Sequence, residues 1–172
     1  WCAGDMPEGL EVLGEKGEGG PLFPITTARV GAGVCMAMRR DVLMEVGPFD
    51  PALGAGTSTR GGEDLDMFAR ILATGDVIIH TPDALVHHRH RVDEAGLDKQ
   101  IRGNGSGMAA LLTKAIIEKP SVLCTLVGRI PGILKRIKPG GARVAGRDDD
   151  TPGSLTRPEI KGFLEGPFLY PS

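Results

Sequence analysis

The chain reads as an α/β protein because extended and helical periodicities alternate through its middle. Ile25 to Met38 is extended in pattern, with small residues at Gly31 and Gly33 where backbone approaches something closely. Glu63 to Thr74 has helical spacing, with Leu65, Phe68, Ala69 and Leu72 on one face and Gly75 in the C′ position. Asp76 to His80 follows as a short apolar strand, Pro82 breaks it, and Leu85 to Arg89 resumes extended structure.

The rest falls around that core. Residues 1–24 are acidic and glycine-rich, with five Glu or Asp against Lys16, and are expected to be irregular. Asp41 is placed to cap a short helix carrying Val42, Leu43 and Val46, which Gly47-Pro48 ends. Residues 52–62 form a flexible glycine loop. A helical region spans Glu94 to Ile117, with an expected break at Gly103-Asn-Gly-Ser-Gly107, so that 25–118 makes one domain. From Lys119 to Arg147 there are seven Lys or Arg and no Asp or Glu, interleaved with Leu, Ile and Val. That makes 119–147 a basic amphipathic extension, broken at Pro131. Residues 148–172 read as a loosely ordered Gly/Pro-rich tail.

Bulk numbers bound the function. The 172 residues suffice for one modest core, and 26 glycines are about twice the usual share. A net charge of −2 gives no global field for a nucleic-acid polymer. Cys2, Cys35 and Cys124 lack metal-ligand spacing, and an odd, sparse count fits buried thiols in a reducing compartment. No apolar run reaches the ~18 residues that a membrane-spanning helix needs. The chain begins at Trp1 and reads as a fragment.

Three constellations carry possible chemistry. Glu63-Asp64 follows the glycine loop and opens a helix, where the dipole and free N–H groups favour a carboxylate facing a cleft. Acids also cap helix starts without any function. Asp64-Leu65-Asp66 is not a metal pair, because residues two apart on a helix point roughly 200° apart. His88 and His90 alternate onto one face of an extended segment and offer one or two metal ligands, with His80 the only other histidine available besides His87. Arg40, beside Arg39, has the fork that suits diphosphate oxygens, and a surface position explains it equally well.

Taken in order, Gly31-Ala-Gly33, Arg39-Arg40, Gly47-Pro-Phe-Asp50, Gly61-Gly-Glu-Asp64 and Pro82-Asp-Ala-Leu-Val-His-His88 resemble family 2 glycosyltransferases of the A-type nucleotide-sugar fold. The likeness covers about residues 29–91 and the second, acceptor-side half of the catalytic domain. It is closest to a bacterial subgroup acting on cell-surface or lipid-linked glycans. The resemblance implies Asp64 as the base that deprotonates the acceptor hydroxyl, and Glu63 as the residue that binds the acceptor or orients the base. It also implies His88, and more weakly His90, as ligands of a divalent metal, Mg2+ or Mn2+. Gly31, Gly33 and Arg40 would border the substrates. The partners implied are a nucleotide-sugar donor and a glycan or lipid-linked acceptor, at the cytoplasmic face of a membrane.

The family's donor-binding half would lie upstream of Trp1, so the 172 residues alone are expected neither to bind donor well nor to turn over. Two alternatives stand beside this reading. One is a metal-dependent phosphohydrolase built on the histidines and the acids at 63–66. The other is a non-enzymatic module that sits on an anionic membrane surface through the 119–147 stretch.

Overall fold

The computed structural model describes residues 11–13, 33–81, 83, 93–136 and 156–170. They form two short strands and five helices: β1 (Glu11–Leu13), α1 (Arg40–Val46), α2 (Glu63–Ala73), β2 (Ile78–His80), α3 (Glu94–Glu118), α4 (Ser121–Arg136) and α5 (Thr156–Leu169). The chain divides into two compact units. One comprises Trp1–Phe49 with Asp64–His90, and the other Asp50–Glu63 with Arg91–Ser172.

In the first unit β1 pairs antiparallel with β2, Glu11 opposite His80 and Leu13 opposite Ile78. A strand therefore lies inside the acidic segment expected to be irregular, because Val12 and Leu13 can pair with the apolar edge of Ile78 and Ile79. Of the extended segments expected at 25–38 and 85–89, residues 25–32 and 85–89 lie outside the described residues, and residues 33–35 form a turn with no strand following to Met38. Helix α1 starts two residues earlier than expected. Arg39 takes the cap position, and Asp41 sits in the first turn and pairs with the Arg39 guanidinium instead of capping. Gly47 ends the helix at φ 79°, a conformation that favours glycine.

Helix α2 buries Met67, Phe68, Ala69, Ile71 and Leu72, a broader arc than the predicted face, with Leu65 only half-buried. Asp66 is buried too, and Arg70 one turn on accounts for it. Its Nε donates to Asp66 Oδ2 at 2.9 Å, while its remaining nitrogens donate to the Val46 carbonyl at 2.5 Å and the Pro48 carbonyl at 2.9 Å. One guanidinium thus satisfies a buried carboxylate and the carbonyls at the end of α1.

The second unit is helical, and its glycines explain it. Asp93 caps α3 through the Gly96 N–H. The helix then runs unbroken through Gly103-Asn-Gly-Ser-Gly107, contrary to the predicted interruption. Each helical glycine costs about 1 kcal/mol against alanine. Here their missing side chains let other backbone touch the helix on two sides. A Cβ on Gly107 would stand 2.5 Å from the Gly61 carbonyl carbon, and one on Gly105 would stand 2.3 Å from the Glu159 carbonyl oxygen. Helix α5 answers with Gly162 and Gly166, four apart, whose Cβ atoms would meet the Arg102 oxygen at 2.0 Å and the Ser106 oxygen at 2.6 Å.

The tail expected to be loose is therefore largely a helix, sealed to α3 backbone to backbone. Arg102 and Arg60 both pair with Glu165 across this contact. Helix α4 likewise continues through Pro131 to Arg136 and is not broken there. A proline inside a helix forfeits one hydrogen bond and clashes locally, but neither obliges the helix to end.

Residues 50–62 are also more constrained than a flexible loop. Asp50 Oδ1 accepts the Ala52 N–H at 2.9 Å, and Thr59 Oγ1 donates to the Ala52 carbonyl at 3.1 Å. Gly54 N–H donates to the Gly61 carbonyl at 3.3 Å. Thr59 is fully buried, and Ser106 Oγ of α3 donates to its carbonyl at 2.7 Å. The loop is a folded hairpin-like turn fixed to α3. Leu53 joins Ile101, Ala109, Ala110, Leu111 and Val122 in the buried apolar centre of this unit.

Candidate functional site

The start of α2 carries the candidate carboxylates. Its N-terminus follows Gly62, held at φ 98° with Gly107 backbone where a side chain would stand, so no larger residue fits before Glu63. Asp64 is half-buried. Its Oδ1 accepts the Leu65 N–H at 2.8 Å, and its Oδ2 accepts the Gly33 N–H at 2.8 Å. Thirty-one residues separate Gly33 from Asp64. Glycine is needed there because a Cβ would stand 2.8 Å from Asp64 Cβ and 3.0 Å from Met36 Cε.

Two backbone donors thus fix the plane of the Asp64 carboxylate, one per oxygen. Each oxygen retains a second lone pair in a position half open to solvent. A group so held can accept a proton from a hydroxyl placed beside it without first reorganising.

Glu63, one residue earlier, has a different surrounding. Its Cδ lies 3.7 Å from where a Cβ on Gly54 would be. Asp66, buried against Arg70, points to a third set of partners. The predicted divergence of Asp64 and Asp66 on the helix is what the structure has.

Arg40 is exposed at the first turn of α1, and His80 is exposed at the end of β2. Gly31, His87, His88 and His90 lie outside the described residues. Among the described residues no group of three His, Cys, Asp or Glu could hold a metal ion. Asp64 is engaged by N–H donors and Asp66 by a guanidinium, while His88 and His90, to which the resemblance assigns the Mg2+ or Mn2+, lie outside the described residues. Cys35 and Cys124 are free and exposed, not buried as expected.

A second aspartate stands out by contrast. Asp50, of the Gly47-Pro-Phe-Asp50 motif, lies in the helical unit, where Lys114 Nζ approaches its Oδ2 at 3.0 Å and Tyr170 Oη donates to the same oxygen at 3.0 Å. Burial pushes this carboxyl up. The Ala52 N–H, the Lys114 ammonium and the Tyr170 hydroxyl outweigh that and hold it below the ordinary carboxylate value. Lys114 is itself buried in α3. Sequence reading gave Asp50 only a place in a turn. Its partners stand 64 and 120 positions away, and no local pattern announces them. The Asp66–Arg70 pair did have a signal, the i,i+4 spacing of opposite charges.

Comparison of the chain with models of known protein families, with characterised proteins and with solved structures finds no match.

Proposed function

We propose that the chain forms the acceptor-side half of an inverting glycosyltransferase, in which Asp64 is the general base. The observation that supports this reading most directly is the Gly33 N–H to Asp64 Oδ2 contact. It joins the glycine segment and the helix-opening acid, two of the five motifs on which the family resemblance rests. In the proposed reaction an acceptor hydroxyl, on a glycan or a lipid-linked sugar, hydrogen-bonds to a vacant lone pair of Asp64. The hydroxyl oxygen attacks the anomeric carbon of a nucleotide-diphospho-sugar as its proton passes to Asp64. The bond from that carbon to the diphosphate breaks, and its electron pair leaves with the nucleoside diphosphate. Attack opposite the leaving group inverts the anomeric centre. Glu63, in the same helical turn, is assigned to holding the acceptor, and Arg40 to the diphosphate.

The test is acceptor-dependent release of nucleoside diphosphate from a panel of nucleotide-sugars, using the chain together with its flanking coding sequence. Asp64→Asn keeps the shape and one of the two N–H contacts, sets its amide nitrogen against the other N–H, and removes the base. It should lower turnover about 10²–10⁴-fold with an unchanged far-UV circular dichroism spectrum. Turnover retained by that variant removes Asp64 as base. If no nucleotide-sugar is consumed, the transferase reading itself fails.

A further inference from the structure

We propose that Glu165 of α5 is a positioning residue for Glu63 and acts on it through Arg60; the inference rests on the acceptor-holding role given to Glu63 above. Among the described residues Arg60 is the one non-glycine with a positive φ, 64°. It leads directly into Gly61, Gly62 and Glu63. A Cβ strains left-handed backbone, and such a residue persists where its surroundings hold it. Glycine, present at the next two positions, would take the same conformation freely. The side chain is therefore what this position keeps. Its Nη1 donates to Glu165 Oε2 at 3.3 Å, across 105 positions of sequence.

Glu165 is itself fixed. Arg102 Nε donates to its Oε2 at 2.9 Å, and Arg102 Nη2 pairs with its Oε1. Two nitrogens of one guanidinium set the plane of the carboxylate. Gly162 and Gly166 hold α5 against the backbone of α3, so the tether from Arg60 ends on a rigid pair of helices. At the other end, the hydroxyl groups of Thr57, Thr59 and Ser106 fix the turn as far as Thr59 and the Gly61 carbonyl. Glu63 follows and packs beside Gly54. Among the described residues its carboxylate has no hydrogen-bond or ion-pair partner. Glu63 thus takes its place from the backbone that delivers it, and Arg60 sets the direction of that backbone. Because Arg102 also grips Glu165, loss of Arg60 leaves α5 docked, which separates positioning from docking.

The experiment is amide hydrogen exchange of the 172-residue chain, read residue by residue by NMR. Glu165→Gln and Arg60→Gly should each speed exchange at Gly61, Gly62 and Glu63 about fivefold or more, while Ser106 and Gly166 keep their protection. Arg60→Lys should restore most of it. Arg60→Gly should hardly move the melting temperature, since relief of the positive φ offsets the lost ion pair. In the chain with its flanking coding sequence, Glu165→Gln should raise the acceptor KM about three- to tenfold with kcat nearly unchanged, because Asp64 itself is unaltered. Unchanged exchange at 61–63 overturns the proposal, and so does faster exchange with an unaltered KM. Exchange that rises throughout α3 and α5 with a falling melting temperature also overturns it, by making Glu165 a docking residue alone. Failure of the wild-type protein to consume any nucleotide-sugar is a different result: it removes the transferase reading, and the exchange data then decide the tether by themselves.

Discussion

Asp64 and Asp50 are both fixed aspartates, and they are fixed in opposite ways. Asp50 is enclosed, 15% exposed at its side chain, with an ammonium, a phenol and a backbone N–H on its oxygens. Asp64 is half open, and among the described residues two backbone N–H groups hold it. A carboxylate that neutralises a buried lysine is committed to the fold, because removing it strands a charge. A carboxylate held only by amides keeps its charge and its outer lone pairs available to a visiting hydroxyl. The difference separates an anchor from a candidate base within the same set of motifs.

The largest effect expected from breaking this comparison is on stability. Asp50→Ala removes the carboxylate 3.0 Å from the buried Lys114 ammonium, together with the acceptor of the Tyr170 hydroxyl and the Ala52 N–H, and should cost about 3 kcal/mol. Asp64→Ala should cost about 1 kcal/mol or less, since water can reach the freed N–H groups. Urea unfolding of the two variants gives both numbers. Equal losses would erase the distinction between anchor and base.

The two regions also use glycine differently, and that difference sets the next effect. Gly162 admits backbone: an added Cβ would stand 2.0 Å from a carbonyl oxygen fixed inside α3. Gly162→Ala must separate the helices and should cost about 2–3 kcal/mol, read from the urea midpoint. At Gly33 the obstacles are the side chains of Asp64 and Met36, and Met36 can swing aside. Asp64 Cβ, the closest atom at 2.8 Å, moves only with its helix, so Gly33→Ala should cost about 1–2 kcal/mol while displacing Asp64 from its N–H. Turnover should fall further than stability does.

A smaller effect is expected in acid. Asp50 and Glu165 both have carboxyls lowered in the folded chain. Burial and its three donors act on Asp50, and the Arg102 and Arg60 guanidinium groups act on Glu165. Between the folded and the unfolded values the unfolded chain binds more protons. The stability these groups contribute is thus complete above the ordinary carboxylate value of about 4. It is lost as pH falls through the lower folded values. Thermal melts of the helical unit should flatten with pH above about 5 and drop steeply below about 4, and Asp50→Asn should reduce the slope. The smallest effect is a gain. Gly128 has nothing within 4 Å of an added Cβ, so Gly128→Ala in α4 should stabilise by about 0.5–1 kcal/mol.

Local signals in the chain were enough to locate α2, its buried apolar face and its glycine end. They also located β2, the limits of α3 and the divergence of Asp64 from Asp66. Each follows from periodicity or from a φ that favours glycine, both written in neighbouring residues. The continuity of α3 through five residues containing three glycines was not legible, and neither was α5. In isolation those glycines favour a break, and only the backbone of α5 and of residues 59–62 lying against them turns missing side chains into contact. The same holds for the two aspartates. The sequence marked both Asp50 and Asp64 as motif residues. Tertiary structure alone gave one a buried lysine from 64 positions away and the other a glycine N–H from 31 positions away, because partners that far apart meet only when the chain has folded.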